Sequence, residues 1–180
     1  MIDANKIEEI EGIAVEAGFC EMKVVPSDRV VFLESVRLLL EDELKSYDIH
    51  SYSLPPYVPS YEECKERTKA YSHALLLSAI FPTADIADFS AWMEAGVELN
   101  GMIETLCDTL LEHELKVLPL GMRCRRCEVC ACPDAPCRHP ETMLFATESF
   151  GIHIMNTMEA EGITGYYDNQ TIVCFGMVFV

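Results

Sequence analysis

The sequence is poor in positive charge. It has 13 Lys and Arg residues against 30 Asp and Glu residues, which gives a net charge of −17. Proteins that bind nucleic-acid phosphates need basic patches, so this balance argues against a nucleic-acid partner. A long apolar run is also missing. The most apolar stretch, residues 74–82, is much shorter than the roughly 20 residues that cross a bilayer, so we expect no membrane partner.

The first residues lack the apolar segment of a secretory signal. They run Met-Ile-Asp-Ala-Asn-Lys-Ile-Glu-Glu and are acidic instead. We therefore expect a cytoplasmic protein whose nine cysteines stay reduced. Disulfide bonds are the less favoured explanation for so many cysteines.

Familiar catalytic motifs are absent as well. The sequence contains no Ser-His-Asp set, no phosphate-binding glycine loop and no Cys-x3-Cys-x2-Cys of the radical SAM type. Their absence argues against a self-contained enzyme. It leaves open an enzyme whose metal centre keeps one coordination position free, in which one cysteine would be a spectator.

What the sequence does contain is a run of five cysteines, Cys124-x2-Cys127-x2-Cys130-x-Cys132-x4-Cys137. Three cysteines at two-residue gaps, followed by a fourth, are typical of loops that hold a [4Fe–4S] cluster. The fourth ligand is either Cys132 or Cys137. We favour Cys137, because in extended chain the side chains of Cys130 and Cys132 would point to opposite faces. The predicted metal ligands are Cys124, Cys127, Cys130 and Cys137.

Zinc is the alternative metal, because four thiolates also suit the tetrahedral coordination of Zn²⁺. Zinc sites more often use two separated Cys-x2-Cys pairs than one continuous run. The sequence therefore favours a [4Fe–4S] cluster over zinc.

Basic residues gather around the cysteine run, although the chain as a whole is acidic. We expect these arginines to offset the negative charge of a cluster bound by four thiolates. We also expect them to lower the thiol pKa below its usual value of about 8.5. The predicted cofactor-binding arginines are Arg123, Arg125, Arg126 and Arg138.

Helices are predicted mainly from amphipathic spacing. Ser60 and Glu63 match a capping box that begins one of them. The helix that begins near residue 27 has Leu33, Val36, Leu40 and Leu44 on its buried face, although residues 30–32 also suit a strand. The predicted helices cover residues 4–17, 27–44, 60–71, 85–114 and 146–161, the last of them interrupted near Gly151.

Strands are predicted from short apolar runs, at residues 21–25, 74–81, 117–120 and 171–180. Because strands and helices alternate, we expect an α/β or α+β fold with a mixed sheet flanked by helices. The length favours a single domain over residues 1–180, with a cysteine-rich metal loop at residues 122–141.

Two blocks of sequence resemble a known family. The first is Pro-Pro-Tyr-Val-Pro-Ser-Tyr-Glu-Glu at residues 55–63. The second joins the cysteine run to Pro-Cys-Arg-His-Pro-Glu at 136–141 and Glu-Ser-Phe-Gly-Ile at 148–152. The order and spacing of these blocks resemble the predicted metal-binding protein family, domain of unknown function 2284, over nearly the whole length.

The resemblance implies a metal centre. Because family members occur mostly in anaerobic bacteria and archaea, it also implies an electron-transfer or accessory role in anaerobic metabolism, with a redox or accessory protein as partner. Members typically carry a second cysteine set just before Pro-Pro-Tyr. Here Leu54 takes the last of those positions, and no cysteine lies between Cys20 and Cys64. We therefore expect one centre, either a single-cluster electron carrier or a structural zinc module for protein–protein contact.

The remaining candidates have plainer interpretations. His139, two residues after Cys137, is interpreted as a surface residue of the loop, and Glu148 as a partner for one of the arginines. The other cysteines are interpreted as small buried hydrophobes: Cys20, Cys64, Cys107 and Cys174.

Overall fold

The computed structural model describes residues 4–180 and shows an α+β fold, in which helices flank a mixed five-stranded sheet. The helices are α1 (Ala4–Glu16), α2 (Glu34–Leu44), α3 (Tyr61–Thr68), α4 (Phe89–Glu112) and α5 (Ile154–Ala160). The strands are β1 (Glu21–Pro26), β2 (His73–Pro82), β3 (Leu118–Gly121), β4 (Phe145–Ala146) and β5 (Thr171–Phe179). The predicted mixed sheet with flanking helices is confirmed.

The strands lie in the order β1-β2-β5-β3-β4. Neighbours are antiparallel except β3 and β4, which are parallel. Residues 122–144, which contain the cysteine run, leave β3 and return to the adjacent strand β4 without a helix or strand of their own. Both ends of this segment are therefore fixed at one edge of the sheet.

The sheet is covered on both faces, which explains the continuous apolar run in β2. Leu75 and Leu77 face a core built with α1 and α4, whereas Leu76 faces a second core on the other side. Side chains alternate along a strand, so a strand with two buried faces is apolar at every position. Among the described residues, no helix combines the length and the apolar character needed to cross a membrane.

The predicted course of α2 is wrong in two respects. Ser27–Arg29 form only a short 3-10 helix, Phe32 then pairs with Ile152 in an isolated bridge, and α2 begins at Glu34. The expected buried face is only partly found: Val36, Leu40 and Leu44 are half-buried, whereas Leu33 is 40% exposed and the buried residue of α2 is Arg37. Both differences come from contacts with residues far away in the sequence.

The predicted helix at 146–161 is two separate pieces. Thr147–Phe150 form a 3-10 turn that follows β4, and α5 begins only at Ile154. Gly151 separates them with a φ of +69°, where an added Cβ would lie 2.6 Å from the ring of Tyr61. The expected interruption is thus confirmed. The capping box of Ser60 and Glu63 is confirmed too, and it begins α3 at Tyr61, although that helix ends at Thr68.

Candidate metal centre

The cysteine segment is fixed at its start by Asn100 of α4. The Asn100 side chain is buried, donates a hydrogen bond to the carbonyl of Arg123 (2.8 Å) and accepts one from the N–H of Met122 (3.2 Å). Gly121 permits this approach, since a Cβ there would lie 2.7 Å from Asn100 Oδ1. The chain therefore enters the cysteine run along a path set by α4.

Ser53 fixes the same region from the other side. Its side chain is fully buried, and its Oγ accepts a hydrogen bond from the N–H of Cys124 (3.1 Å). Its carbonyl accepts one from the hydroxyl of Ser149 (2.9 Å). Nearby, the Tyr52 hydroxyl donates to the carbonyl of Ala135 within the cysteine segment (2.9 Å). The segment at 51–53 thus joins the cysteine run to the turn after β4.

Four of the five clustered cysteines line one small cavity of about 20 Å³. These are Cys124, Cys127, Cys130 and Cys137. The fifth, Cys132, is buried and does not line this cavity. A cavity of this size holds about one water-sized object.

The cavity is not a preformed ligand shell. In the part of the chain from residue 4 onward, no three His, Cys, Asp or Glu side chains lie close enough together to hold a metal ion. All nine cysteines are free thiols. Four thiols are the donor set that both a [4Fe–4S] cluster and Zn²⁺ take, so the chemistry of the lining fits either centre.

In the described structure, the hydrogen bonds to Cys124 and Cys137 of this cavity come from main-chain N–H groups. The N–H of His139 donates to Cys137 Sγ (3.4 Å). Burial raises the pKa of Cys124, and hydrogen bonds from the N–H groups of Arg126 and Leu144 only partly offset this rise. The expectation that arginines lower this thiol pKa is therefore wrong for Cys124. His139 is exposed, as predicted.

The side chains of the four predicted arginines lie in three different parts of the structure. Arg138 lines the cysteine cavity and donates to the carbonyl of Val129 (3.0 Å). Arg126 turns toward α4, where its Nε lies 3.2 Å from Glu104 Oε1 and its Nη2 lies 3.4 Å from Asp108 Oδ1. The other two, Arg123 and Arg125, line a second and larger cavity.

This second cavity, which we call the arginine cavity, has a volume of about 400 Å³ and lies between α2, α4 and the turn after β4. Burial lowers the pKa of Arg123, and the positive charge of Arg125 lowers it further. Glu148 lines the same cavity, and burial raises its pKa. The predicted pairing of Glu148 with an arginine is not found, because its carboxylate has no ion pair in the described structure.

The comparisons with known proteins agree with the cysteine pattern. A family model described as predicted metal-binding protein (DUF2284) matches residues 23–180. The chain belongs to this family. No curated protein and no solved structure matches it. The resemblance inferred from the sequence blocks is confirmed, and metal binding is the function that the family description gives.

The two blocks that carried the resemblance meet in this DUF2284 protein at Arg37. Its guanidinium donates to the carbonyls of Pro59, in the first block, and Ser149, in the second. Glu41 balances its charge at 2.8 Å. Sequence reasoning missed both Arg37 and Ser53. The sequence contained only weak indications of their roles. Arg37 is one arginine on an apolar helix face, and Ser53 is one serine two positions before a pair of prolines.

The remaining cysteines of this family member are mostly buried, as predicted. Burial raises the pKa of Cys107 to about 12 and that of Cys174 to about 11. Burial also raises the pKa of Cys64. The prediction is wrong for Cys20, which is exposed and contacts the carbonyl of Ser78 (3.2 Å).

Proposed function

We propose that this protein holds one metal centre in the cysteine cavity, with Cys124, Cys127, Cys130 and Cys137 as its ligands. The observation that carries the proposal is the shared lining: these four cysteines surround the same space, and Cys132 does not. The family description supports metal binding in general terms. The spacing of the cysteine run favours a [4Fe–4S] cluster as the centre.

A [4Fe–4S] cluster, when bound, takes up and releases single electrons. The surrounding residues suit such a role because part of the segment between β3 and β4 faces solvent. Cys130 is exposed, and the adjacent Val129 is 73% exposed. An exposed apolar side chain beside a ligand offers a contact for a redox or accessory protein. In this proposal the protein is a single-electron carrier or accessory protein of anaerobic metabolism.

A structural zinc site is the second candidate, and the size of the cavity favours it. A space of about 20 Å³ is nearer to one ion than to a cube of four iron and four sulfur atoms. A zinc ion would therefore require a smaller rearrangement of the segment. Such a centre would fix residues 122–144 as a surface for protein contact without redox activity.

Metal analysis of protein purified without oxygen separates the two candidates. Iron, acid-labile sulfide and zinc are measured on one sample, together with an absorption spectrum before and after dithionite. The cluster predicts about four iron and four sulfide per chain and a colour that bleaches on reduction. Stoichiometric zinc without colour would identify the structural site instead. Protein that takes up neither metal would contradict the proposal.

A further inference from the structure

The arginine cavity is a separate feature that the metal centre does not explain. Most of its lining residues are apolar, and those contributed by α2 and α4 include Leu44, Met93 and Val97. Some of its exposed lining is apolar as well, since Phe89 is 76% exposed and Met122 is 40% exposed. Open pockets of about 300–1,000 Å³ with apolar walls and a few polar groups are the usual form of small-molecule sites.

Among the described residues, two guanidinium groups in this cavity have no carboxylate partner. Arg29, Arg37 and Arg126 each form an ion pair with a glutamate. Arg123 and Arg125 form none within the described residues, although the chain has more than twice as many acidic as basic residues. They lie close enough to repel each other, and Arg123 is half-buried. Two like charges that are held together without a counter-ion favour the binding of an anion.

The acidic groups of the cavity lie near each other and form no ion pair with this arginine pair. Glu43 and Glu148 line it, and the charge of Glu43 is felt at Glu148. Burial disfavours the charged form of Glu148 by raising its pKa, which reduces its repulsion of an anion. The anionic part of a ligand therefore belongs at Arg123 and Arg125, with its apolar part along α2 and α4.

A neighbouring cavity of about 690 Å³ lacks this property, although it is larger. Its cations are Arg37 and Lys45, and both already pair with carboxylates, Glu41 and Asp42 respectively. An anion would have to displace those partners. The smaller cavity is therefore the better anion site.

We propose that the arginine cavity binds an organic oxyanion, a carboxylate or phosphate head on an apolar body, through the paired guanidinium groups of Arg123 and Arg125. This site is distinct from the cysteine cavity and does not depend on which metal is bound. Because Arg123 directly precedes Cys124, a bound anion would contact the same segment that carries the proposed metal ligands.

The test is isothermal titration calorimetry of the full-length protein, which measures its affinity for four probes: octanoate, octyl phosphate, octanol and octylamine. Octanoate, octyl phosphate or both should bind at least about tenfold more tightly than octanol. The reason is that hydrogen bonds to a charged group contribute more binding free energy than hydrogen bonds to a neutral hydroxyl. The arms with octanoate and octyl phosphate identify which head group is preferred. Equal binding of octanol, or tighter binding of octylamine, would overturn the proposal.

Variants assign any binding to this cavity. Arg123→Gln combined with Arg125→Gln should weaken binding of the preferred anion by about tenfold or more. The matched control, Arg29→Gln with Lys45→Gln, removes the same positive charge elsewhere and should change binding less than about twofold. Arg125 is exposed, so Arg125→Gln alone tests the proposal even if the double variant folds poorly. Anion binding that survives every arginine substitution would overturn the proposal.

A second variant tests the apolar wall without changing charge. Met93→Trp fills space in the cavity and should reduce octanoate affinity by about tenfold, the effect of losing a good apolar contact. Metal content is measured on the same samples. Loss of anion binding with unchanged metal content is the expected result, and it separates this site from the metal centre. Unchanged affinity in Met93→Trp would contradict the placement of the apolar tail.

Discussion

Arg123, Cys124 and Arg125 are consecutive in the chain, yet the cysteine and the two arginines line different cavities. The residues follow β3, and side chains of extended chain alternate between two faces. One face meets the small, hydrogen-bonded space around the sulfur atoms. The other meets an apolar cavity about twenty times as large, between two helices. Because these residues are adjacent in the sequence, they were predicted to form one site. In the fold they line two separate cavities.

The comparison also changes the meaning of the basic residues. As a sequence pattern, the four arginines suggested charge compensation for a cluster. In the structure, Arg138 lines the cysteine cavity, Arg126 pairs with α4, and Arg123 and Arg125 face the other cavity. The sulfur atoms receive main-chain N–H donors instead. In metal sites such donors orient and tune the ligands.

The largest effect is expected from Arg37, because it joins the two segments on which both cavities depend. Arg37→Met keeps most of the side-chain length but leaves the buried carbonyl of Ser149 without its donor, and leaves the carbonyl of Pro59 with only the Cys64 thiol. The free energy of unfolding should fall by about 2–4 kcal/mol. Urea unfolding measures it, with Arg29→Met as the control. Arg29 is a largely exposed partner of Glu161, so its loss should cost less than about 1 kcal/mol. Equal effects of the two substitutions would show that Arg37 does not clamp the blocks.

Gly121 is the last residue of β3 and lies just before the residues that line the two cavities. In Gly121→Ala the new Cβ would lie 2.7 Å from Asn100 Oδ1 and 2.9 Å from Leu144 Cδ2. This overpacking should destabilise the protein by about 1–3 kcal/mol. Gly101→Ala on α4 is a matched control, because nothing lies within 4 Å of its added Cβ. That substitution should stabilise the helix by about 0.5–1 kcal/mol. The same direction for both variants in thermal unfolding would contradict the packing at Gly121.

How much the sequence predicts depends on how local each feature is. α1, α3, α4 and the apolar strands were predictable because their signals are periodicity and a capping box within one segment. The start of α2 was not, since Phe32 pairs with Ile152, 120 positions away. The buried arginine was missed for the same reason, because the partner carbonyls that permit its burial lie elsewhere in the chain. The four cysteine candidates were predicted from spacing alone, and they line one cavity. The arginine cavity was not predicted.

A substitution at Ser53 should weaken metal binding at the cysteine cavity without changing the arginine cavity, which Ser53 does not line. Ser53→Ala removes the acceptor for the Cys124 N–H in a fully buried setting. The cost should be about 1–2 kcal/mol of stability and a weaker hold on the metal, with octanoate affinity unchanged. Chelator competition and titration measure the two sites on one preparation. Ser90→Ala, an exposed serine on α4, should leave both sites intact. A change in octanoate affinity equal to the change in metal affinity would mean that the cavities are not independent.

Thiol reactivity gives the smallest but most detailed test. In metal-free protein at pH 8, iodoacetamide should label exposed Cys20 and Cys130 first. Cys107 and Cys174 should react only after unfolding, because pKa values of about 12 and about 11 leave almost no thiolate at that pH. Metal loading should then protect Cys130 but not Cys20. Equal protection of both thiols would contradict the assignment of Cys130 as a ligand.

In the proposed metal centre, Cys137 and not Cys132 is the fourth ligand beside Cys124, Cys127 and Cys130. Iron and zinc per chain should be measured in Cys132→Ser and Cys137→Ser, purified side by side without oxygen, with Cys174→Ser as a buried control. We expect full metal content in Cys132→Ser and in the control, and loss of the centre in Cys137→Ser. Loss in Cys132→Ser with retention in Cys137→Ser would contradict this assignment and make Cys132 the fourth ligand.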